Sequence, residues 1–122
     1  MRDHRKLKAF ELADALALSV YQQTRNFPKE EIYGLTSQIR RAAVSVSSNI
    51  VEGCAQNTEK DYIHFLDTAY GSAKEVEYQT SIARRLGYLG TNKLEEDAAE
   101  VARVLNALIN ALRNGGGEQS KA

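Results

Sequence analysis

The positions of proline and glycine constrain this chain more than any other feature of its sequence. Pro28 is the only proline among the 122 residues, and helix-breaking glycines fall at 34, 53, 87, 90 and 115–117. Apolar residues recur at three-and-four spacing in the long segments between these breakers, which is typical of amphipathic helices. The sequence therefore predicts four helices, over about residues 6–25, 35–53, 58–87 and 92–113.

The last of these segments carries the clearest heptad pattern. The spacing between its apolar residues alternates between four and three positions. These residues are Leu94, Ala98, Val101, Leu105, Leu108 and Leu112. Short links between long amphipathic helices favour antiparallel neighbours. We therefore predict an all-α protein, an antiparallel up-down-up-down four-helix bundle formed by residues 1–113. The polar, glycine-rich stretch 114–122 cannot offset its ordering entropy and is predicted to be a disordered tail.

The composition argues against a membrane span and against disulfide chemistry. Apolar residues make up 43% of the chain, and no apolar run reaches the length of about 20 residues that a membrane span needs. We expect a cytoplasmic protein with no membrane contact. Cys54 is the single cysteine, so it has no partner for an internal disulfide or a CxxC pair.

The residues that chemistry usually requires are scarce. A di-iron bundle needs two Glu-x-x-His pairs, but this chain offers only Asp61 with His64, and the other histidine is His4, near the terminus. The stretch Gly87–Gly90 lacks the third glycine and the preceding strand of a dinucleotide site. We expect no enzymatic activity, no cofactor, no metal and no small-molecule substrate.

Arg40 and Arg41 lie in the first turns of the predicted second helix, where positive charge opposes the helix dipole. Two explanations stay open: an ion pair with Glu30 or Glu31, or contact with an anion or nucleic acid. Antiparallel packing brings other cations to the same end of the bundle. The predicted basic patch contains Arg25, Lys29, Arg40, Arg41, Arg84 and Arg85, with Lys93 and the acids Glu95, Glu96 and Asp97 nearby.

Glu52 presents the opposite problem, because an acid in the last turn of a helix faces the negative end of the dipole. We predict a partner for it, either Lys6, Lys8 or Tyr62.

A second apolar line on the fourth helix has two explanations, burial by self-association or a wide stripe within one bundle. Its members are Ala99, Ala102, Val104 and Ile109.

Two stretches of the sequence resemble a known family. They are FPKEEIYGLTSQIRRAAVSVSSNIVEG at 27–53 and FLDTAYGSAKEVE at 65–77. The family comprises bacterial four-helix bundle proteins encoded in intervening sequences of 23S ribosomal RNA genes, and the accessory variability protein of diversity-generating retroelements is a relative. The motif residues here are Phe27, Pro28, Glu31, Tyr33, Gly34, Leu35, Gln38, Arg40, Arg41, Ala42, Asn49, Glu52 and Gly53. Ser47 and Gln56 stand where relatives often have proline and arginine.

The resemblance implies a bundle assembled as a homopentamer, with a basic surface that contacts nucleic acid and reverse transcriptase in the retroelement relatives. Our leading hypothesis is a non-enzymatic oligomer that binds RNA, DNA or a nucleoprotein through its arginine-bearing end. The alternative is a protein-interaction scaffold with no nucleic-acid contact, in which Arg40 and Arg41 only lock the connection through Glu31. Two observations weaken the nucleic-acid hypothesis: the formal net charge of zero, and Gln56 at a position where relatives often have a cation.

Overall fold

The computed structural model describes residues 2–115, and its regular structure there is entirely helical. The four long helices are α1 (Lys8–Gln23), α2 (Leu35–Cys54), α3 (Glu59–Arg85) and α4 (Lys93–Arg113). Two short 3-10 turns, His4–Lys6 and Lys29–Glu31, precede α1 and α2. The predicted four-helix bundle is confirmed, and the helix ends lie within two residues of the predicted ones.

Contacts between neighbouring helices show that each runs antiparallel to the next. Tyr21, near the end of α1, meets Arg40 near the start of α2. Gly53, at the end of α2, lies against Tyr62 near the start of α3, and Ser45 and Ser72 share a hydrogen bond of 2.8 Å midway between. An ion pair joins Asp67, in the first half of α3, to Arg113 at the end of α4. Since α1 also packs against α4, the four helices enclose one core.

The core depends on small side chains along α2. Its buried face includes Thr36, Ala42, Ala43 and Val46, and it ends in Gly53. A Cβ atom on Gly53 would lie 3.0 Å from the Cβ of Phe65 and 3.3 Å from the Tyr62 ring. These separations are tighter than ordinary van der Waals contact, so glycine is needed for α2 to approach α3 this closely.

Each end of α3 is closed by local chemistry that the sequence specifies. The Thr58 hydroxyl accepts a hydrogen bond of 3.1 Å from the Asp61 amide, which is the bond that a threonine makes at an N-cap. At the other end, Gly87 adopts a φ of +85° and donates to Arg84, while the Tyr88 amide bonds to the Ala83 carbonyl at 2.8 Å. This pair of bonds is a Schellman motif, which turns the chain toward α4.

The residues before α1 close one end of the bundle. The Arg2 guanidinium lies 4.0 Å from the centre of the Tyr62 ring and donates to the Gln56 carbonyl at 3.2 Å. Beneath it lie Tyr62 and Cys54, each only 1% exposed. Burial raises the pKa of both the thiol and the phenol. Both groups are therefore neutral at ordinary pH, consistent with a structural role.

The second apolar line of α4 belongs largely to the interior. Ala102 and Ile109 are 4% and 3% exposed, and Val104 packs partly against the core. The wide-stripe explanation is therefore correct for Ala102 and Ile109, which the bundle buries by itself, while Ala99 and Val104 stay partly exposed. Asn114 and Gly115 complete the end of α4, where Gly115 has a φ of +88°. The rest of the predicted disordered tail, 116–122, lies outside the described residues.

Within residues 2–115, no helix combines the length and the apolar character that crossing a membrane requires.

Candidate nucleic-acid interface

The start of α2, the end of α1 and the end of α3 meet at one end of the bundle, which we call the α2-start end. All six arginines and lysines of the predicted basic patch lie there, and they are Arg25, Lys29, Arg40, Arg41, Arg84 and Arg85. Their side chains have different surroundings, so the patch divides into cations held by the protein and cations that face solvent.

Arg40 is held by α1. Its Nε donates to the Thr24 hydroxyl at 2.8 Å, and its guanidinium lies 4.7 Å from the centre of the Tyr21 ring. Thr24 is 2% exposed and donates in turn to the Val20 carbonyl at 2.8 Å. The predicted ion pair of Arg40 with Glu30 or Glu31 is therefore wrong. A buried hydroxyl, a backbone carbonyl and an aromatic face surround this cation instead.

Glu31 has a different structural role. One carboxylate oxygen accepts from the Leu35 amide at 3.1 Å, and the other accepts from the Tyr88 hydroxyl at 3.0 Å. The first bond satisfies a free amide at the start of α2, and the second ties this connection to the one between α3 and α4. The hydrogen bond to the carboxylate raises the pKa of Tyr88.

Gly34 makes room for this cap. A Cβ on Gly34 would lie 2.9 Å from the Glu31 Oε1 atom, so a larger residue would displace the carboxylate. Gly34 has a φ of −112°, outside the left-handed region that favours glycine. Space for Glu31, rather than a positive φ, therefore explains the glycine.

Three other cations at the α2-start end are also held in place. Arg84 pairs with Glu95, which raises the pKa of the guanidinium, and Lys93 pairs with Asp97 at 2.6 Å. Arg85 turns back onto its own helix and donates to the Ser81 carbonyl and hydroxyl at 3.3 and 3.2 Å. The acids of α4 therefore neutralise Arg84 and Lys93, whereas Arg85 is fixed on its own helix and keeps its charge.

Arg25, Lys29 and Arg41 remain, and we call them the free cations. All three side chains are exposed, and none takes part in an ion pair or hydrogen bond found among residues 2–115. Arg41 lies on α2 beside Arg40 but points away from α1, since consecutive helical residues are about 100° apart. The arginine doublet thus divides into one structural residue and one exposed residue.

The remaining motif residues divide in the same way. Phe27 is buried with its ring centre 5.4 Å from that of Tyr88, and the Pro28 carbonyl accepts from the Glu31 amide at 2.9 Å. Asn49 donates to the carbonyl and hydroxyl of Ser45 at 2.8 and 3.0 Å. Tyr33 and Gln38, in contrast, are exposed.

Glu52 does not have the partner that we predicted. It is exposed, and neither Lys6, Lys8 nor Tyr62 bonds to its side chain within the described part of the chain. Tyr62 contacts Cys54 and Arg2 instead.

The two departures from the family pattern both make hydrogen bonds within α2 or at its end. Ser47 donates to the Val44 carbonyl at 3.2 Å, and Gln56 donates to the Glu52 carbonyl at 3.1 Å.

Thr24, Tyr21 and Tyr88 are the contacts of Arg40 and Glu31 that could not be predicted from the sequence pattern. All three lie outside the motif stretch 27–53, so no local spacing linked them to Arg40 or Glu31. A polar residue at the end of an apolar stripe, as Thr24 is, was the one available signal, because a buried hydroxyl needs hydrogen-bond partners.

No group of three or more metal-binding side chains occurs within residues 2–115. His64 is exposed on α3, in an open groove of about 540 Å³ where Asp67 is already paired with Arg113. The charged groups beside His64 are therefore those of a surface ion pair.

Taken together, these features define a helical-bundle protein with one end that carries both structural and free cations. The chain belongs to the 23S rRNA-intervening sequence protein family, whose model matches residues 5–109. The resemblance noted in the sequence is thereby confirmed.

Similar structures agree on the fold. A solved structure of a protein of unknown function from the S23 ribosomal protein family of Bacteroides thetaiotaomicron VPI-5482 superposes with a TM-score of 0.76. It is 21% identical, and the match covers 84% of this chain and 95% of that one. A comparison with curated proteins found no match. At this identity the likeness establishes the architecture alone.

The separation of Arg40 from Arg41 predicts a difference in stability between two matched variants. Arg40→Gln removes the bond to buried Thr24 and should destabilise the fold by about 1–2 kcal/mol. Arg41→Gln removes the same charge one residue away and should change the stability by less than about 0.5 kcal/mol. Thermal or urea unfolding of the two variants provides the measurement, and equal losses would show that the doublet acts as a unit.

Proposed function

We propose that this protein is a non-enzymatic scaffold, assembled from several copies, that binds nucleic acid or a nucleoprotein at its α2-start end. The observation that supports binding is the set of free cations, Arg25, Lys29 and Arg41, which are exposed at one end of the bundle. Exposed guanidinium and ammonium groups bind phosphate oxygens directly, since no internal ion pair has to break first.

A charge-matched pair of triple variants tests this binding. Replacing Arg25, Lys29 and Arg41 with glutamine should weaken binding to RNA or DNA at least tenfold, because about three phosphate contacts are lost. The control replaces Lys6, Lys8 and Lys60 with glutamine, three exposed cations at the opposite end. Fluorescence anisotropy with a labelled RNA hairpin and a labelled DNA duplex measures both. Equal losses in the two variants would contradict binding at the α2-start end.

The second candidate is a scaffold that only binds protein. Both candidates require a surface through which copies of the chain associate, and exposed apolar side chains supply one. Four of the exposed large apolar side chains lie on the outward side of α1 and α2, and we call them the α1–α2 outer face: Leu18, Tyr21, Val44 and Val51. Antiparallel register places Leu18 opposite Val44, since Tyr21 contacts Arg40 further along. Exposed apolar side chains grouped on one side of a bundle favour an interaction surface there.

A second copy of this chain is the occupant that we propose for the α1–α2 outer face. The family resemblance implies a homopentamer, and a closed ring of five requires two different faces of the chain to meet at each contact. The α1–α2 outer face supplies one of these two faces, since a contact there would remove its exposed apolar side chains from water.

Light scattering during size-exclusion chromatography tests the assembly. The wild-type protein should elute with about five times the 13.5 kDa chain mass. Val44→Glu places a charge in the α1–α2 outer face, 40% exposed at this position, and should shift the mass toward that of one chain. Ala107→Glu adds the same charge to the exposed side of α4 as a control. A monomeric wild-type protein, or an unchanged Val44→Glu variant, would contradict the proposed assembly face.

A further inference from the structure

A polar groove runs between α2 and α3, next to the free cation Arg41. This α2–α3 groove is open and has a volume of about 440 Å³. Its lining residues are Gln38, Arg41, Ala42, Ser45, Glu75 and Gln79. The side chains supply one guanidinium, one carboxylate, two carboxamides and one hydroxyl. A surface with this mixture of donors and acceptors suits a polar, hydrogen-bonding ligand better than an apolar one.

Gln79 is the least expected member of this lining. It is 8% exposed, and its Oε1 atom has no hydrogen-bond partner among the described residues. A buried amide oxygen without a partner is costly, so a side chain of this kind is rarely kept on a helix face for packing alone. Ala42, 6% exposed, adds only a small side chain to the same groove.

The exposed tyrosines lie in the same half of the molecule. Tyr33 is 96% exposed immediately before α2, and Tyr78 is 62% exposed on α3, adjacent in sequence to Gln79. Tyr21, 45% exposed, has its ring covered by the Arg40 guanidinium. Tyr78 comes three residues after Glu75, so these two side chains are neighbours on the surface of α3, at the edge of the groove. Tyr33 lies before the first turn of α2, beyond the groove end that Gln38 lines.

Aromatic rings, a free cation and polar base-reading groups form the combination that binds single-stranded nucleic acid. Bases stack on aromatic side chains only when they are unstacked from one another, which a continuous duplex prevents. Glu75 adds a constraint, because its carboxylate repels a phosphate but accepts hydrogen bonds from amino groups on bases. The backbone would therefore lie on the Arg41 side of the groove and the base edges on the Glu75 side.

We propose that the α2–α3 groove binds a single-stranded nucleic-acid segment. Arg41 contacts a phosphate, and Tyr33 and Tyr78 each stack on a base. Gln38, Glu75 and Gln79 face the base edges. This inference rests on the nucleic-acid binding proposed above, and it adds the class of nucleic acid and the two residues that select it.

Anisotropy titrations at low salt test the inference with two labelled RNAs, a single strand of about 12 nucleotides and a hairpin duplex of similar charge. The wild-type protein should bind the single strand at least about tenfold more tightly, because two stacked bases contribute only there. Tyr33→Leu and Tyr78→Leu should each weaken single-strand binding about fivefold or more and leave hairpin binding unchanged.

Phenylalanine variants serve as the matched controls. Tyr33→Phe and Tyr78→Phe keep the ring and should bind the single strand as the wild type does. Both positions are exposed, so circular dichroism should show folded protein in all four variants. Equal binding of strand and hairpin, with the leucine variants unaffected, would overturn the stacking inference while leaving nucleic-acid binding at the α2-start end intact. Absence of binding to either RNA at low salt would overturn both.

Discussion

The close packing of α2 against α3 is the constraint on which the rest of the structure depends. Small buried residues along α2, ending in Gly53, let the two helix backbones approach, and Ser45 and Ser72 fix their register with one hydrogen bond. A side chain larger than glycine at 53 would push against Phe65 and Tyr62. Because the register is fixed, Arg41 and Gln38 on α2 come to lie opposite Glu75 and Gln79 on α3.

The α2-start end shows how one cluster of charges can serve both stability and binding. Thr24 holds Arg40, Glu95 holds Arg84, and Glu31 caps α2 and anchors Tyr88. A count of arginines alone would assign Arg40 and Arg84 to a ligand, but contacts within the protein already hold both side chains. Arg25, Lys29 and Arg41 are left, and a zero net charge for the chain does not prevent three exposed cations from forming a local binding surface.

The sequence predicted the helices well because their signals are local. Glycine and proline punctuation, the α4 heptad and the Thr58 cap each act within a few residues. The contacts of the site were less predictable, because they join residues far apart in the chain. Arg40 meets Thr24 across 16 positions and Tyr88 meets Glu31 across 57, so spacing suggested the nearer Glu30 or Glu31 for Arg40 instead. The predicted partner of Glu52 was wrong for a different reason. An acid near the end of a helix is expected to need a partner, but the Glu52 side chain is exposed, and solvent stabilises its charge instead.

The salt dependence of nucleic-acid binding by the wild-type assembly tests the role of the free cations most directly. Each phosphate that a cation neutralises releases bound counterions, so the logarithm of the association constant falls linearly with the logarithm of salt concentration. About three contacts per chain on a single strand predict a slope of about −2 for each bound chain. A slope near zero, or no binding to RNA or DNA at low ionic strength, would contradict a nucleic-acid function for this end of the bundle.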